Sequence, residues 1–327
     1  MKKANRLLPW QQSQWRVLQQ RKANASLPHA LLLFGQAGLG KQQFAMQFAA
    51  SLLCSQPLEI GEACGKCRGC QLIQAGNHPD LISIMPEQEG KAIKVDQIRQ
   101  LVSFLDKTAQ FNGFKVVVIQ PADRMNINAA NALLKTLEEP SDNTVIILLT
   151  HRLMALPATV RSRCQIIPFS VPDEQEALRW LASQKIDAEQ LPLLLAFAKG
   201  APLKVLELIE QDELTFRETI FNEWCDFIDG KLSLVELSGK WHSLDLNRLL
   251  MHLTSWVMDM IRIKQLEDEA FIVNKDIMDR LSDMAKRWDK KKLFVLYDDL
   301  NKMQHGLNSQ INLNPQLMIE GWLSNFY

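Results

Sequence analysis

The chain carries no excess charge: 37 lysines and arginines stand against 37 aspartates and glutamates over 327 residues. No net field draws the whole molecule onto nucleic acid or an anionic membrane, so any contact with DNA has to be local. It also lacks an apolar run approaching the roughly 18 residues of a membrane helix. Its first stretch, Met1 to Gln12 (MKKANRLLPWQQ), lacks the apolar segment of a signal peptide. A cytoplasmic location is the expectation. A reducing compartment disfavours structural disulfides, which leaves the six cysteines as free thiols, metal ligands or reactive groups. No internal repeat or low-complexity tract is visible. What is present is 47% hydrophobic residues, enough for a substantial core, in a chain long enough for two domains or three small ones.

The first half alternates β-rich runs with helical segments, the pattern of a parallel sheet with crossover helices, and an α/β fold is expected there. Residues 29–34 (HALLLF), 81–85, 115–119 and 144–150 read as strands. The last two are almost wholly Val, Ile and Leu, as strands covered on both faces require. Helices are expected near 42–53, 95–108 and 128–138. After Pro168 the β pattern stops, and Asp173 to Gln184 reads as a helix with acidic residues in its first turn. The remainder reads as amphipathic helices with a break near residues 210–213. Three domains follow: 1–168, an α/β domain; 169–212, a small helical domain whose helices meet at the Lys199-Gly200-Ala201-Pro202 turn; and 213–327, all-helical. Five of the eight tryptophans lie in the last, at 224, 241, 256, 288 and 322, and are read as core.

Gly35-Gln36-Ala37-Gly38-Leu39-Gly40-Lys41 follows a strand and opens a helix, the setting in which a Walker A loop cradles phosphates with backbone N–H groups. Gly35, Gly38 and Gly40 permit the tight path, and Lys41 would reach the β and γ phosphates. The alternative is a glycine-rich turn that merely joins strand to helix. The Ser or Thr that should follow as a Mg²⁺ ligand is Gln42. The strand that should end in an acidic pair, one carboxylate ordering Mg²⁺ and one orienting the attacking water, runs instead into Gln120-Pro121, and Asp123 stands too far along to replace either. General-base assistance alone is worth about 10²–10⁴ in rate. No significant hydrolysis of ATP by the chain alone is expected, while nucleotide binding stays open.

Cys64, Cys67 and Cys70 stand at Cys-x₂-Cys-x₂-Cys spacing, with Cys54 ten residues before the first. Thiolates so spaced can close a tetrahedral Zn²⁺ site, with Cys54 or His78 as the fourth ligand. Free thiols and an iron–sulfur cluster are the alternatives.

The run Asn131-Ala132-Leu133-Leu134-Lys135-Thr136-Leu137-Glu138-Glu139-Pro140, followed by a strand and then Ser162-Arg163-Cys164, resembles the clamp-loader branch of the AAA+ ATPases. The resemblance implies a P-loop sheet domain, a helical lid and an all-helical collar. It implies a place in a pentameric ring with gamma or tau and delta subunits, part of the bacterial DNA polymerase III holoenzyme, which sets a sliding clamp on primed DNA. Arg163 matches the arginine that such subunits supply in trans to a neighbour's ATP site, with Arg161 as the nearest competitor and a local salt bridge as the plain alternative. An arginine finger is worth about 10³–10⁵ in rate in well-studied cases. Thr150 matches the family's polar sensor, Leu203 replaces an arginine of the lid, and Cys54 matches the fourth zinc ligand of a structural site. Two other readings are an autonomous ATPase with an atypical magnesium site and a zinc-dependent DNA-binding module.

Overall fold

The computed structural model describes residues 7–88, 90–111, 113–184, 186, 188–265, 271–308 and 314–326. The chain divides into two compact units, residues 1–206 and 207–327.

Unit one is built on five parallel strands: β1 (Ala30–Phe34), β2 (Leu81–Ile84), β3 (Lys115–Ile119), β4 (Thr144–Thr150) and β5 (Gln165–Pro168). Their order across the sheet is β2-β3-β4-β1-β5, with Ala30 opposite Ile146, Leu31 opposite Gln165, and Ile119 opposite Leu148. β3 and β4 are buried along their whole length, as their unbroken apolar sequences require. Successive side chains point to opposite faces, so Leu31, Leu33, Val116, Val118, Ile147 and Leu149 join one core, and Leu32, Val117, Ile119, Ile146 and Leu148 join another.

Helices cover both faces. They are α1 (Gln12–Ala23), α2 (Lys41–Leu53), α3 (Arg68–Gln74), α4 (Val95–Leu105), α5 (Ile127–Glu138) and α6 (Ala158–Arg161). α2 buries Phe44, Phe48 and Leu52 against the first core, and α5 buries Ala129, Ala130, Leu133 and Leu137 against the second. These are the i, i+3 and i+4 spacings of an apolar helix face. Asn126 starts α5 by accepting a hydrogen bond from the Ala129 N–H at 2.8 Å. α7 (Glu174–Ala182) starts at Asp173, whose carboxylate accepts from the Gln175 N–H at 2.9 Å. α8 (Leu191–Phe197) and α9 (Pro202–Glu210) meet at the expected turn, where Lys199 and Gly200 adopt φ of 51° and 80°.

Because β1, β3 and β4 are parallel and adjacent, the loops at their carboxyl ends share one edge of the sheet, the usual place for a ligand in such folds. Gly35, Asp123 and Thr150 meet there.

Unit two is helical throughout its described residues: α10 (Glu213–Ile228), α11 (Leu234–Trp241), α12 (Leu246–Gln265), α13 (Met278–Lys286), α14 (Lys290–Asn308) and α15 (Pro315–Leu323). Trp224, Trp241, Trp256 and Trp322 are all buried in one cluster, and Trp288 packs at its margin. Trp224 and Trp256 stack with centroids 5.5 Å apart. Beside the cluster lie buried charges, each satisfied: Glu213 accepts from Arg248 Nε at 2.8 Å and faces His252 Nε2 at 2.7 Å, while Asp259 accepts from the Val273 and Asn274 backbone N–H groups.

Candidate functional site

The phosphate loop has the expected shape. Gly38 and Gly40 both hold φ of 78°, a left-handed conformation that side chains with a Cβ rarely adopt. Its interior, however, is filled by the protein itself. The Lys41 ammonium donates to Gly35 O at 2.6 Å and Gln36 O at 2.7 Å, and lies 2.9 Å from His151 Nδ1. A lysine has three N–H donors: two go to these carbonyls and the third faces His151 Nδ1, which also lies 3.3 Å from Gly35 O. Burial pushes the Lys41 pKa down to about 8, although Asp123 pulls the other way. Burial and then the Lys41 charge hold the His151 pKa down, so its ring is neutral near pH 7 and Nδ1 can accept.

Two further carbonyls of the loop, of Gly38 and Leu39, are engaged from outside. Trp10 Nε1 and Gln11 Nε2 both donate to Leu39 O, at 3.1 and 2.9 Å. The first turn of α9 closes the other side, with Leu203 N–H donating to Gly38 O at 3.1 Å. A Cβ on Gly38 would stand 2.7 Å from Lys204 Cβ and 2.8 Å from Lys204 N. Leu203 thus contributes its backbone to loop closure. Gln42 is exposed to solvent.

Asp123 is nearer than its sequence position suggests. Its Oδ1 accepts from Thr150 Oγ1 at 2.9 Å and its Oδ2 from Arg152 Nε at 3.1 Å, and the carboxylate is almost fully buried. Thr150 Oγ1 in turn accepts from the Arg152 N–H at 3.0 Å. Both carboxylate oxygens are thereby occupied, and the sensor hydroxyl with them. The sequence did not point to His151 or Arg152. Their only signal was their position directly after Thr150 at the end of a central strand.

The cysteine cluster is assembled from three elements. Cys54 ends α2, Cys64 lies in the following loop, and Cys67 caps the start of α3, whose first turn holds Cys70. The four sulfurs lie within 4.8 Å of one another, with Cys54 and Cys67 3.9 Å apart and Cys64 and Cys70 4.0 Å apart. Sulfurs about 2.3 Å from a tetrahedral zinc would be about 3.8 Å apart, so the spacing fits a metal with little adjustment. The Lys66 and Cys67 backbone N–H groups point at Cys64 Sγ, at 3.4 and 3.3 Å, and hold its pKa down. Burial opposes ionisation of Cys67, but the Ser55 hydroxyl and the Cys70 N–H outweigh it and bring that thiol to about 5. Such donors favour the thiolate, the form that binds metal, at Cys64 and Cys67, whereas burial pushes the Cys54 and Cys70 thiols up. His78 is not in the cluster: it is buried, with Nδ1 accepting from the Asp80 N–H at 3.1 Å. Asp80 itself accepts from the Gln110 and Phe111 N–H groups at 2.8 and 2.7 Å, which fixes the loop leading into β3.

Arg163 follows α6. Its Nη2 pairs with Glu138 Oε1 at the end of α5, and its Nη1 donates to Thr159 O at 2.9 Å and Ser162 Oγ at 3.4 Å. The local salt bridge that the sequence allowed is therefore present. The side chain keeps 34% exposure. Arg161 lies with Nη1 2.9 Å from Met154 Sδ and makes no carboxylate pair among the described residues. Cys164 is half-buried, and burial pushes its thiol up to about 12, which makes it an inert thiol.

Residues 10–173 match the family described as DNA polymerase III, delta subunit, and residues 211–327 match the one described as DNA polymerase III, delta subunit, C terminal. The DNA polymerase III subunit delta' of Pseudomonas aeruginosa is 37% identical over 319 residues, covering 97% of this chain and 96% of that one. The chain belongs to the DNA polymerase III delta' family. The delta' subunit of Escherichia coli K12 is 34% identical over 300 residues, covering 89% of this chain and 86% of that one. The DNA polymerase III subunit gamma of Buchnera aphidicola (Schizaphis graminum) shares 34% identity over 191 residues, 56% of this chain and 51% of that one. Among solved structures, a gamma subunit-related protein of Thermotoga maritima aligns over 94% of this chain and 98% of that one, at 19% identity and a TM-score of 0.46. Among the described residues no helix is long and apolar enough to cross a membrane.

Proposed function

We propose that this delta' family member is a clamp-loader subunit that does not hydrolyse ATP and that serves a neighbour's ATP site with Arg163. The observation that carries the first half is the Lys41 ammonium, whose three donors are already taken by Gly35 O, Gln36 O and His151. A triphosphate would have to displace all three contacts and the α9 turn above Gly38. With Gln42, Gln120 and Pro121 where a metal hydroxyl ligand and an acidic pair would stand, those positions neither order magnesium nor ready a water, and the Asp123 carboxylate is held by Thr150 and Arg152.

The second half rests on Arg163, half-exposed and placed in the Ser-Arg-Cys motif. Supplied to a gamma or tau subunit beside it, the guanidinium would stabilise charge growing on the transferring phosphoryl group. The proposed setting is a pentameric ring with gamma or tau and delta subunits that places the sliding clamp on primed DNA. The four cysteines would hold a structural zinc. When bound, the ion cross-links the end of α2 to the start of α3, and four thiolates leave no open position for catalysis.

Two measurements test the reading. Single-turnover incubation of the purified chain with ATP and magnesium should release no phosphate above background. Release that disappears in Lys41→Ala would establish the autonomous ATPase instead. In the complex reconstituted with gamma and delta subunits, Arg163→Ala should slow hydrolysis at the adjoining site by roughly 10³. An intact ring with unchanged turnover would remove the assignment.

A further inference from the structure

The Arg163 guanidinium sits in a seat of its own chain, and the seat is costly in a way that stability does not explain. Glu138 is the last residue of α5, with Glu139 following it. A carboxylate there lies at the negative end of the helix dipole, where it is disfavoured. Its pair with Arg163 is half-exposed, at 49% for the Glu138 side chain and 34% for that of Arg163, and pairs of that kind contribute little to stability. Lys135, one turn earlier, already supplies the cation that the end of α5 favours.

The contacts instead define an orientation. Thr159 O and Ser162 Oγ take the Nη1 hydrogens and Glu138 takes one from Nη2. An arginine has five N–H groups in a rigid fork, so the hydrogen on Nε and one on Nη2 have no partner among the described residues. Guanidinium donors left in this way are the kind that bind phosphate oxygens.

We propose that Glu138 is the positioning residue for Arg163: it fixes the guanidinium plane so that the remaining Nε and Nη2 donors are presented, already oriented, to the phosphates bound by a neighbouring subunit. The proposal rests on the reading of Arg163 as an arginine supplied in trans. Without Glu138 the fork would be held through Nη1 alone and would have to be ordered in each transition state.

The test is single-turnover phosphate release from the complex reconstituted with gamma and delta subunits, across a range of ATP concentrations. Glu138→Ala should slow the phase that Arg163→Ala removes, by about tenfold, as expected for a misplaced catalytic group. The ATP concentration for half-saturation should not change, because the orientation acts on the transition state. Glu138→Gln should restore most of the rate, since its amide oxygen still accepts from Nη2. Adding Glu138→Ala to Arg163→Ala should change nothing further. Three results would overturn the proposal: a wild-type rate in Glu138→Ala; equal slowing by Glu138→Ala with and without Arg163; or loss of assembly in Glu138→Ala that Glu138→Gln repairs without any effect on rate. If Arg163→Ala leaves every phase unchanged, the trans-acting reading has failed. If Arg163→Ala slows release and Glu138→Ala does not, only the role of Glu138 has failed.

Discussion

The phosphate loop and the cysteine module lie at the two ends of one helix, α2, and answer opposite questions about ligands. Lys41 opens the helix with every donor engaged by the protein, and the carbonyls of Gly38 and Leu39 are engaged as well. Cys54 closes it among sulfurs that have mainly one another and a few backbone N–H groups. A site with a ligand motif but satisfied polar groups does not need the ligand to fold. A cluster of four thiols about one zinc-tetrahedron edge apart has no comparable internal solution. The difference lies in what each group can find nearby: an ammonium is satisfied by carbonyl oxygens, which every loop supplies, whereas thiolates crowded together repel unless a cation joins them.

The largest effect should come from breaking the cysteine side of this contrast. Stripping metal with a strong chelator, or substituting Cys67→Ser, should unfold the segment from Cys54 to Cys70, given that structural zinc sites contribute on the order of 10 kcal/mol of binding free energy. Zinc released on thiol modification, read with a chromogenic chelator, gives the stoichiometry. A metal-free chain with the melting temperature of the metal-loaded one would erase the distinction.

Next in size is Gly38→Ala, which sharpens the loop side. The left-handed φ costs about 1–2 kcal/mol for a residue with a Cβ, and the methyl would also meet the Lys204 backbone. A loss of roughly 2–3 kcal/mol in urea unfolding is expected. A neutral substitution would mean that α9 rests only loosely on the loop.

Nucleotide itself should do less. A ligand at about 100 times its dissociation constant stabilises by about 2.7 kcal/mol, so millimolar ATP with magnesium should raise the melting temperature clearly if the loop opens, and should leave it unchanged if Lys41 stays in place.

A further effect concerns pH. The Lys41 pKa is lowered from 10.5 to about 8 in the folded chain, so between those values the unfolded chain holds more protons on this residue. Its contribution to stability therefore rises with pH across that window and is flat below pH 8. Lys41→Met should lose that rise in the difference between the two unfolding curves. A rise that persists in the variant assigns it to another group.

Much of this was legible in the sequence because the signals were local. The all-apolar runs of β3 and β4 could belong only to strands covered on both faces, and the Cys-x₂-Cys-x₂-Cys spacing named its own chemistry. Asp173 and the Lys199-Gly200 turn marked helix boundaries where the structure has them. Other elements carried no such signal. α1 has six polar residues among its first nine (QSQWRVLQQ) and carries little helical signal, since only Trp15 and Leu18 are buried from it. α3 is too short for periodicity to register and is fixed by its two cysteines.

The sequence by itself determined which catalytic groups are absent, because Gln42, Gln120 and Pro121 cannot become a hydroxyl or a carboxylate in any fold. It also determined the alternation that places two apolar cores on the two faces of the sheet. Only the tertiary structure decided what fills the space those groups left. Parallel strands carry Asp123 and His151 to the loop from positions 82 and 110 residues beyond Lys41, and α9 comes down on Gly38 from farther still. Hydrogen bonds depend on distances of about 3 Å in space, which chain separation does not encode.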